Sequence, residues 1–201
     1  MAEPIETGSR TTAGSYSLPV PAWATVIDFF LLAGGKKGTD GTNYGPGSKG
    51  DDGKFVTGSF RVRPGSALPC VIGGASADTT INFGGVVTTS ATGVTKPSSN
   101  TLTNSSLLEG DPAVDASYSI DVGTRGDGGD GGSRGYTTTD PPTPPGDGEP
   151  GTGGGLYWRF RQAAQIPRIG NIPASVDVKI GNKSLVAIYI GTKKVWDKPA
   201  N

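Results

Sequence analysis

The sequence predicts an all-β protein, a jelly-roll-like β-sandwich with long glycine-rich tracts between its strands. Apolar residues make up 33% of the chain and collect in short, strand-like blocks. The segment Val26–Leu32 is apolar on both parities apart from Asp28, which predicts a strand buried on both faces. No window keeps an apolar period of about 3.6 residues, so amphipathic helices are not expected.

Further apolar blocks predict the other strands of the sandwich. They lie at 16–20, 54–63, 67–72, 79–87, 118–122 and 156–161. The Pro64-Gly65 turn between two alternating blocks predicts that 54–63 and 67–72 pair as a hairpin. Pro69 cannot donate to a sheet ladder, so it is expected at an edge or a bulge.

Two domains are predicted, a glycine-rich β-sandwich over 1–163 and a small C-terminal β segment over 164–201. The second has the pattern of a three-stranded meander and is too short to bury a core of its own. It must therefore pack on the main domain or on another subunit, and we expect it to dock on neighbouring proteins. Tyr189 and Trp196 are its candidate interface residues, because large aromatic side chains are frequent anchors at such contacts.

Composition excludes several function classes. The 201 residues carry 18 basic and 18 acidic side chains, so no basic surface for nucleic acid is expected. There is no histidine, the usual general base and commonest metal ligand, and Cys70 is the single cysteine. No apolar run is long enough to insert in a membrane, and no signal peptide is visible at the N-terminus. We predict no enzyme, catalytic site, metal or cofactor.

Two further motifs have a plain interpretation. Arg125-Gly126-Asp127 matches an integrin-binding tripeptide, but such a match is expected by chance in a tract rich in glycine and aspartate. The run that follows it is similar to calcium-binding nonapeptide repeats and lacks their apolar position, which favours solvated loop carboxylates.

Glycine recurs at every third position in the two tracts 34–53 and 126–155, which hold 20 of the 34 glycines. The residues in step are Gly38, Gly41, Gly47, Gly50, Gly53, Gly126, Gly129, Gly132, Gly135, Gly148, Gly151 and Gly154. A period of three is that of an extended polyproline-II-type helix.

Three interpretations of the period remain open: a collagen-like triple helix, a flexible linker, and several extended helices packed side by side. The third is favoured, because packed helices can satisfy each other's backbone groups and need glycine where they touch. It predicts that Gly129→Val and Gly132→Val destabilise the protein far more than substitutions at Asp127 or Asp130.

The order of these parts resembles a known protein family. The matching segments are YSLPVPAWATVIDFFLLAGGKKG, GKFVTGSFRVRPGSALPCVIGG, TTINFGG, GGGLYWRFR and, near the C-terminus, VAIYIGTKKVWD. The sequence is similar to the glycine-rich minor tail proteins of tailed bacteriophages, especially those that infect actinobacteria. It departs from them in its interrupted glycine runs and in a proline-rich insert at 141–145.

The resemblance implies a structural component of the virion at the tail tip or baseplate, made in the host cytoplasm. Its expected partners are other tail proteins, further copies of itself in a symmetric assembly, and a host cell-surface glycan. Tyr44 and Tyr136 are the candidate contact residues, because they stand in or beside glycine tracts and an aromatic face can stack on a sugar ring. The alternative is a non-viral glycine-rich adhesion or matrix protein.

Overall fold

A computed structural model describes residues 4–105, 117–136 and 142–162, together with the backbone of 179–180, 183–184, 187–190 and 193–197. The chain divides into two compact units, Met1–Ala163 and Ala164–Asn201. In the first unit two antiparallel sheets pack face to face around an apolar core, so the prediction of an all-β sandwich is confirmed.

The strands of the first unit follow one another from β1 to β11. They are β1 (Ile5–Arg10), β2 (Gly14–Pro19), β3 (Val26–Leu32), β4 (Lys54–Arg61), β5 (Ala67–Ile72), β6 (Thr80–Phe83), β7 (Val86–Thr89), β8 (Val94–Thr95), β9 (Thr101–Asn104), β10 (Tyr118–Asp121) and β11 (Gly155–Arg161). The five-stranded sheet has the order β1-β11-β3-β4-β8, and the four-stranded sheet has the order β2-β5-β6-β7. A hairpin of β9 and β10 is separate from both sheets.

Strand β3 lies in the middle of the five-stranded sheet and is buried along its whole length, as its sequence predicted. Its odd-numbered residues, such as Phe29, pack with Leu68 and Ile81 of the four-stranded sheet. Its even-numbered residues Phe30 and Leu32 belong to a second apolar cluster, formed with the β9–β10 hairpin. The molecule therefore has three layers, and the five-stranded sheet is the middle one.

The exception on β3, Asp28, is fully buried and pairs with two arginines of β11. Arg159 and Arg161 approach its carboxylate at 2.8 and 2.9 Å, and Ser59 of β4 donates a hydrogen bond to it at 2.5 Å. Burial by itself would raise the pKa of Asp28, but the hydrogen bonds from Arg161, Ser59 and Arg159 outweigh it, so the pKa lies below 3.8. These contacts join the three neighbouring strands β11, β3 and β4.

The predicted hairpin of 54–63 with 67–72 is wrong. Strand β4 pairs with β3 and β8, whereas β5 pairs with β2 and β6 in the other sheet. The Pro64-Gly65 turn therefore carries the chain from one sheet to the other. The alternating pattern identified each strand but did not specify its partner.

Two other predictions about the four-stranded sheet have clear outcomes. The expectation of an edge or a bulge at Pro69 is wrong, because β5 lies between β2 and β6 and its register with β2 is regular. Pro69 pairs with Ser17 of β2, and its missing N–H is tolerated because β6 pairs with β5 only at Cys70 and Val71. The single strand predicted over 79–87 is a hairpin instead. It turns at Gly84 and Gly85, both of which have positive φ angles.

The second unit contains two separate two-stranded hairpins, so the predicted three-stranded meander is wrong for the described residues. The strands are β12 (Lys179–Ile180), β13 (Lys183–Ser184), β14 (Ala187–Ile190) and β15 (Lys193–Asp197), and β12 pairs with β13 and β14 with β15. Each connection within a pair has only two residues, and such a short connection favours a local hairpin.

We expect Asp28→Asn to lower the free energy of unfolding by about 3–5 kcal/mol, because removing one partner of a buried ion pair leaves charge uncompensated. Chemical denaturation of the variant measures this loss. Asp130→Asn, at an exposed position, is the matched control and should change stability little. Equal losses in the two variants would contradict the structural role of Asp28.

The same carboxylate makes stability depend on pH. The pKa of Asp28 is lowered in the folded protein, so its contribution is complete above the unfolded-state pKa of about 3.9. The contribution is lost as the pH falls from there through the folded-state pKa. Acid titrations of stability should therefore show a steeper loss for the wild type than for Asp28→Asn.

Candidate functional site

Both glycine tracts are ordered, and they form a bundle of four extended segments. We call these helix I (34–42), helix II (45–53), helix III (126–135) and helix IV (146–154). None of them contains an α-helix or a strand, and their hydrogen bonds recur every third residue. Successive residues of helix I donate to different neighbours, which is the arrangement of a threefold extended helix.

The bundle continues the five-stranded sheet. Helix I follows β3, helix II precedes β4 and helix IV precedes β11, so the helices keep the strand order β11-β3-β4. The register is kept as well. Leu32 is paired with Phe55 in the sheet, and Lys36 donates to Asp51 in the bundle. Lys36 comes four residues after Leu32 and Asp51 comes four residues before Phe55, so the antiparallel register is unchanged. The tracts are therefore extensions of paired strands.

Five helix pairs are joined by backbone hydrogen bonds with N···O distances from 2.6 to 3.2 Å. Four of the pairs have three bonds each, and helices III and IV have a fourth, from Gly126 to the carbonyl of Gly153. Helix I donates to helix IV from Gly35, Gly38 and Gly41, and to helix II from Lys36, Thr39 and Thr42. Helix II donates to III from Gly47, Gly50 and Gly53, helix III to I from Gly129, Gly132 and Gly135, and helix IV to III from Gly146, Glu149 and Thr152. Helices I and III are parallel, and each is antiparallel to II and IV.

At each of the five helix–helix contacts, a separate row of glycines allows the two backbones to approach closely. A Cβ added at Gly38 would lie 2.1 Å from the carbonyl oxygen of Asp130, and one at Gly132 would lie 1.9 Å from that of Gly146. The rows are 35/38/41 between helices I and III, 47/50/53 between I and II, 129/132 between III and IV, 128/131 between II and III, and 148/151/154 between I and IV. No other residue fits these positions without moving the backbone.

All twelve glycines identified from the period lie in this bundle. Gly126 differs from the rest, since its φ of +75° turns the chain into helix III. Sequence reasoning missed Gly35, Gly128 and Gly131, although each is in step at three residues with other glycines. The segment 126–131, Gly-Asp-Gly-Gly-Asp-Gly, contributes to two glycine rows of helix III. Helix III needs both, because the row 128/131 faces helix II and the row 129/132 faces helix IV.

Aspartates on the outside of the bundle accept backbone N–H groups that the helices leave unpaired. Asp40 accepts from Gly148 and Asp52 from Gly128, both at 2.9 Å. These bonds lower the pKa of both carboxyls, with further lowering by Lys37 and Lys49 respectively. The outer charges therefore supplement the backbone network.

A buried lysine fixes the base of helix III. The side chain of Lys96 is 1% exposed and contacts Asp127 at 2.7 Å, and its backbone N–H donates to Gly53 of helix II. Arg125 donates to the carbonyl of Thr11. The Arg125-Gly126-Asp127 tripeptide is thus built into the base of the bundle. Because Asp127 has a structural role, substitutions at Asp127 are not a neutral control for the glycine-to-valine variants.

A cleft of about 450 Å³ lies where helices I and II leave the sheet. Its lining includes Lys36, Asp51, Asp52, Lys54 and Asp78. Lys36 pairs with Asp51 at 2.8 Å, Asp52 binds Lys49 and a backbone N–H, and Asp78 accepts from a serine hydroxyl. Lys36, Asp51 and Asp52 are therefore engaged within the bundle, whereas Asp78 is engaged outside it.

The two predicted contact tyrosines both lie at the far end of the bundle. Tyr44 lies in the turn between helices I and II and is 93% exposed, and Tyr136 follows helix III and is 51% exposed. The Arg134 guanidinium lies 5.7 Å from the Tyr136 ring centroid, and its Nε donates to the backbone carbonyl of Asn43, the residue before Tyr44. Sequence reasoning did not identify Arg134 as a contact residue.

The backbones of Tyr189 and Trp196 belong to β14 and β15, but their side chains lie outside the described part of the chain. Among the described residues, no group of histidine, cysteine, aspartate or glutamate could hold a metal ion. No helix in that part is long and apolar enough to cross a membrane. No protein-family model and no curated protein matches the chain.

We expect Gly132→Ala and Gly38→Ala to destabilise the protein by about 1–3 kcal/mol or more, because a methyl group would collide with backbone oxygens. Thermal unfolding measures the change. Gly45→Ala and Gly153→Ala are matched controls from the same tracts, since a Cβ there meets nothing within 3.5 Å. These controls should be neutral or slightly stabilising. The same melting temperature in all four variants would show that the helices do not pack as described.

Proposed function

We propose that this protein is a structural component of a phage virion, a minor tail protein at the tail tip or baseplate that holds a host-contact surface at the end of a stiff glycine bundle. The observation that carries the proposal is the bundle itself, with its backbone bonded across five contacts and two exposed tyrosines at its end. The resemblance to glycine-rich minor tail proteins supplies the biological setting.

The geometry favours a mechanical role for the bundle. Nine residues of a helix that rises about 3.1 Å per residue span about 28 Å, so helix I carries Tyr44 well away from the sheet. Because the interior has no side chains, the bundle has no rotamers to rearrange under load. Its ordering depends on backbone bonds that continue the sheet without a change of register.

The chemistry of the carboxylates favours binding and support over catalysis. A general acid needs a raised pKa at neutral pH, whereas the pKa values of Asp40 and Asp52 are lowered by backbone N–H bonds and lysines. Asp28, the fully buried acid, also has a lowered pKa and is engaged with two arginines. These acids are suited to structural roles, which supports the proposal of a non-enzymatic protein.

The tip suits a saccharide surface. Tyr44 and Tyr136 supply aromatic faces, and Arg134 supplies donors that can bind hydroxyl or acidic groups of a glycan. The backbone there is fixed, since the Thr42 hydroxyl accepts from the amides of Tyr44 and Gly45, and Tyr136 forms a bridge with Thr143. A fixed backbone reduces the ordering cost of binding.

The location is tested by immunoelectron microscopy of virions with antibodies against the 1–163 domain, together with the identity of the neighbouring genes. Labelling at the tail tip and neighbours that encode tail components are the expected results. Labelling of a cell surface or an extracellular matrix, with unrelated neighbours, would favour the alternative of a non-viral glycine-rich adhesion or matrix protein.

For the tip, we expect Tyr44→Ala and Tyr136→Ala to weaken adsorption to host cells at least about tenfold, as the loss of about 1.4 kcal/mol of stacking would. The melting temperature should not change, because both side chains are exposed. Lys49→Ala, on the flank of helix II, is the control. Unchanged adsorption in both tyrosine variants would contradict the assignment of the tip.

A further inference from the structure

Lys96, the residue after β8, has a buried amino group, unlike the lysines on the outside of the bundle. Its side chain is 1% exposed, whereas that of Lys49 is 53% exposed. Burying an amino group is costly unless its protons have hydrogen-bond acceptors. The Nζ of Lys96 has three acceptors: Oδ1 of Asp127 at 2.7 Å, the backbone carbonyl of Gly123 at 3.5 Å, and Oδ1 of Asn100.

The backbone of Asn100 is held in place beside this amino group. Asn100 has a φ of +60°, in the left-handed region that is uncommon for residues other than glycine. Its N–H donates to the carbonyl of Pro97 at 3.1 Å, and its carbonyl accepts from Val122 at 3.0 Å. Because Nζ of Lys96 is hydrogen-bonded to Oδ1, it also lies next to Cγ of the same amide, the carbon that a nucleophile attacks.

Asp127 supplies the third group that an amine needs to attack an amide. An ammonium has no lone pair, so a lysine becomes a nucleophile only after it loses a proton. The carboxylate of Asp127 lies 2.7 Å from Nζ of Lys96 and can accept that proton. A nucleophile, an acyl group and a proton acceptor therefore meet around one buried amino group.

We infer that Lys96 and Asn100 form an intramolecular isopeptide bond. The Nζ of Lys96 attacks Cγ of Asn100, a bond forms between these two atoms, and the bond from Cγ to Nδ2 breaks. One proton of the lysine ammonium stays on Nζ as the new amide N–H. The other two pass by way of Asp127 to Nδ2, which leaves as an ammonium ion. The atoms and charges balance without an oxidant or a second substrate.

Asn100 is a better acyl group than Asp127 for this reaction. Its amide loses ammonia, which escapes into the solvent and makes the step irreversible. A carboxylate would have to be protonated first and would then lose water, so the surrounding solvent would favour the reverse reaction. In the product, the N–H of the new amide can still donate to Asp127, and the base of helix III keeps this contact.

The bond closes residues 96–100 into a covalent ring at the base of the bundle. The backbone N–H of Lys96 donates to Gly53 at the end of helix II, and the carbonyl of Asn100 accepts from Val122, directly after β10. The ring therefore fixes the spacing of two points that hold the bundle and the β9–β10 hairpin. The reaction occurs once in each chain, and the inference rests on this buried cluster rather than on the virion proposal.

Mass spectrometry of the folded full chain, after incubation at neutral pH, tests the inference. We expect the peptide that contains 96–100 to be lighter than its sequence mass by one ammonia. Fragmentation should give no ions from cleavage within 97–99, because a single backbone break does not open a ring into two pieces. A succinimide at Asn100 also lacks one ammonia but gives those fragments, and finding it would overturn the inference.

Variants assign the roles of the three residues. Lys96→Met should keep the ammonia, because the nucleophile is gone, and Asp127→Asn should slow its loss about a hundredfold or more, as removal of a general base does. Lys49→Met removes an exposed lysine that also pairs with an aspartate, so it is the matched control and should lose ammonia as the wild type does.

The wild-type mass decides the question even if a variant fails to fold. An unmodified wild type after prolonged incubation would overturn the inference. Loss of one water instead of one ammonia would also overturn it, because the bond would then lie at Asp127. Loss of ammonia that persists in Lys96→Met would do the same, by showing that the amino group takes no part.

Discussion

Backbone hydrogen bonds between extended helices form only where no Cβ separates the two chains, and the rest of this structure depends on that constraint. At Gly132 an added Cβ would lie 1.9 Å from a carbonyl oxygen of the neighbouring helix. Ordering a glycine costs about 0.5–1 kcal/mol more than ordering an alanine, while each hydrogen bond returns about 0.5–1.5 kcal/mol. The two free energies are of similar size, so the bundle is stable only when nearly every hydrogen bond between its helices is formed.

The sheet provides the starting point that such a marginal bundle needs. Strands β11, β3 and β4 already hold three chains side by side in register, and helices IV, I and II continue the same pairing. Helix III then adds to all three. Its position is fixed at the base by the buried Lys96–Asp127 pair. The five-stranded sheet, the ion pairs of Asp28 and the glycine bundle therefore form one continuous hydrogen-bonded structure.

Local patterns in the sequence predicted the sandwich, the doubly buried strand β3 and the glycine rows, because each is encoded by a simple period. Partner choice could not be predicted in the same way. The Pro64-Gly65 turn fits a hairpin as well as a crossover between sheets, because local alternation does not specify which distant strand is the partner. The tip shows a similar limit. The exposure of Tyr44 and Tyr136 followed from their context, whereas the hydrogen bond from Arg134 to the carbonyl of Asn43 depends on how helices I and III pack.

Amide hydrogen exchange across 34–53, 126–136 and 142–154 tests the packed bundle most directly. Protection should recur with a period of three, with slow exchange at amides such as Gly38, Gly50 and Gly132 that donate between helices. Fast exchange is expected at Lys37, whose N–H has no partner among the described residues. Exchange at the rate of a free peptide throughout these tracts would contradict the account, because it would show that the glycine amides are bonded to water rather than to neighbouring helices.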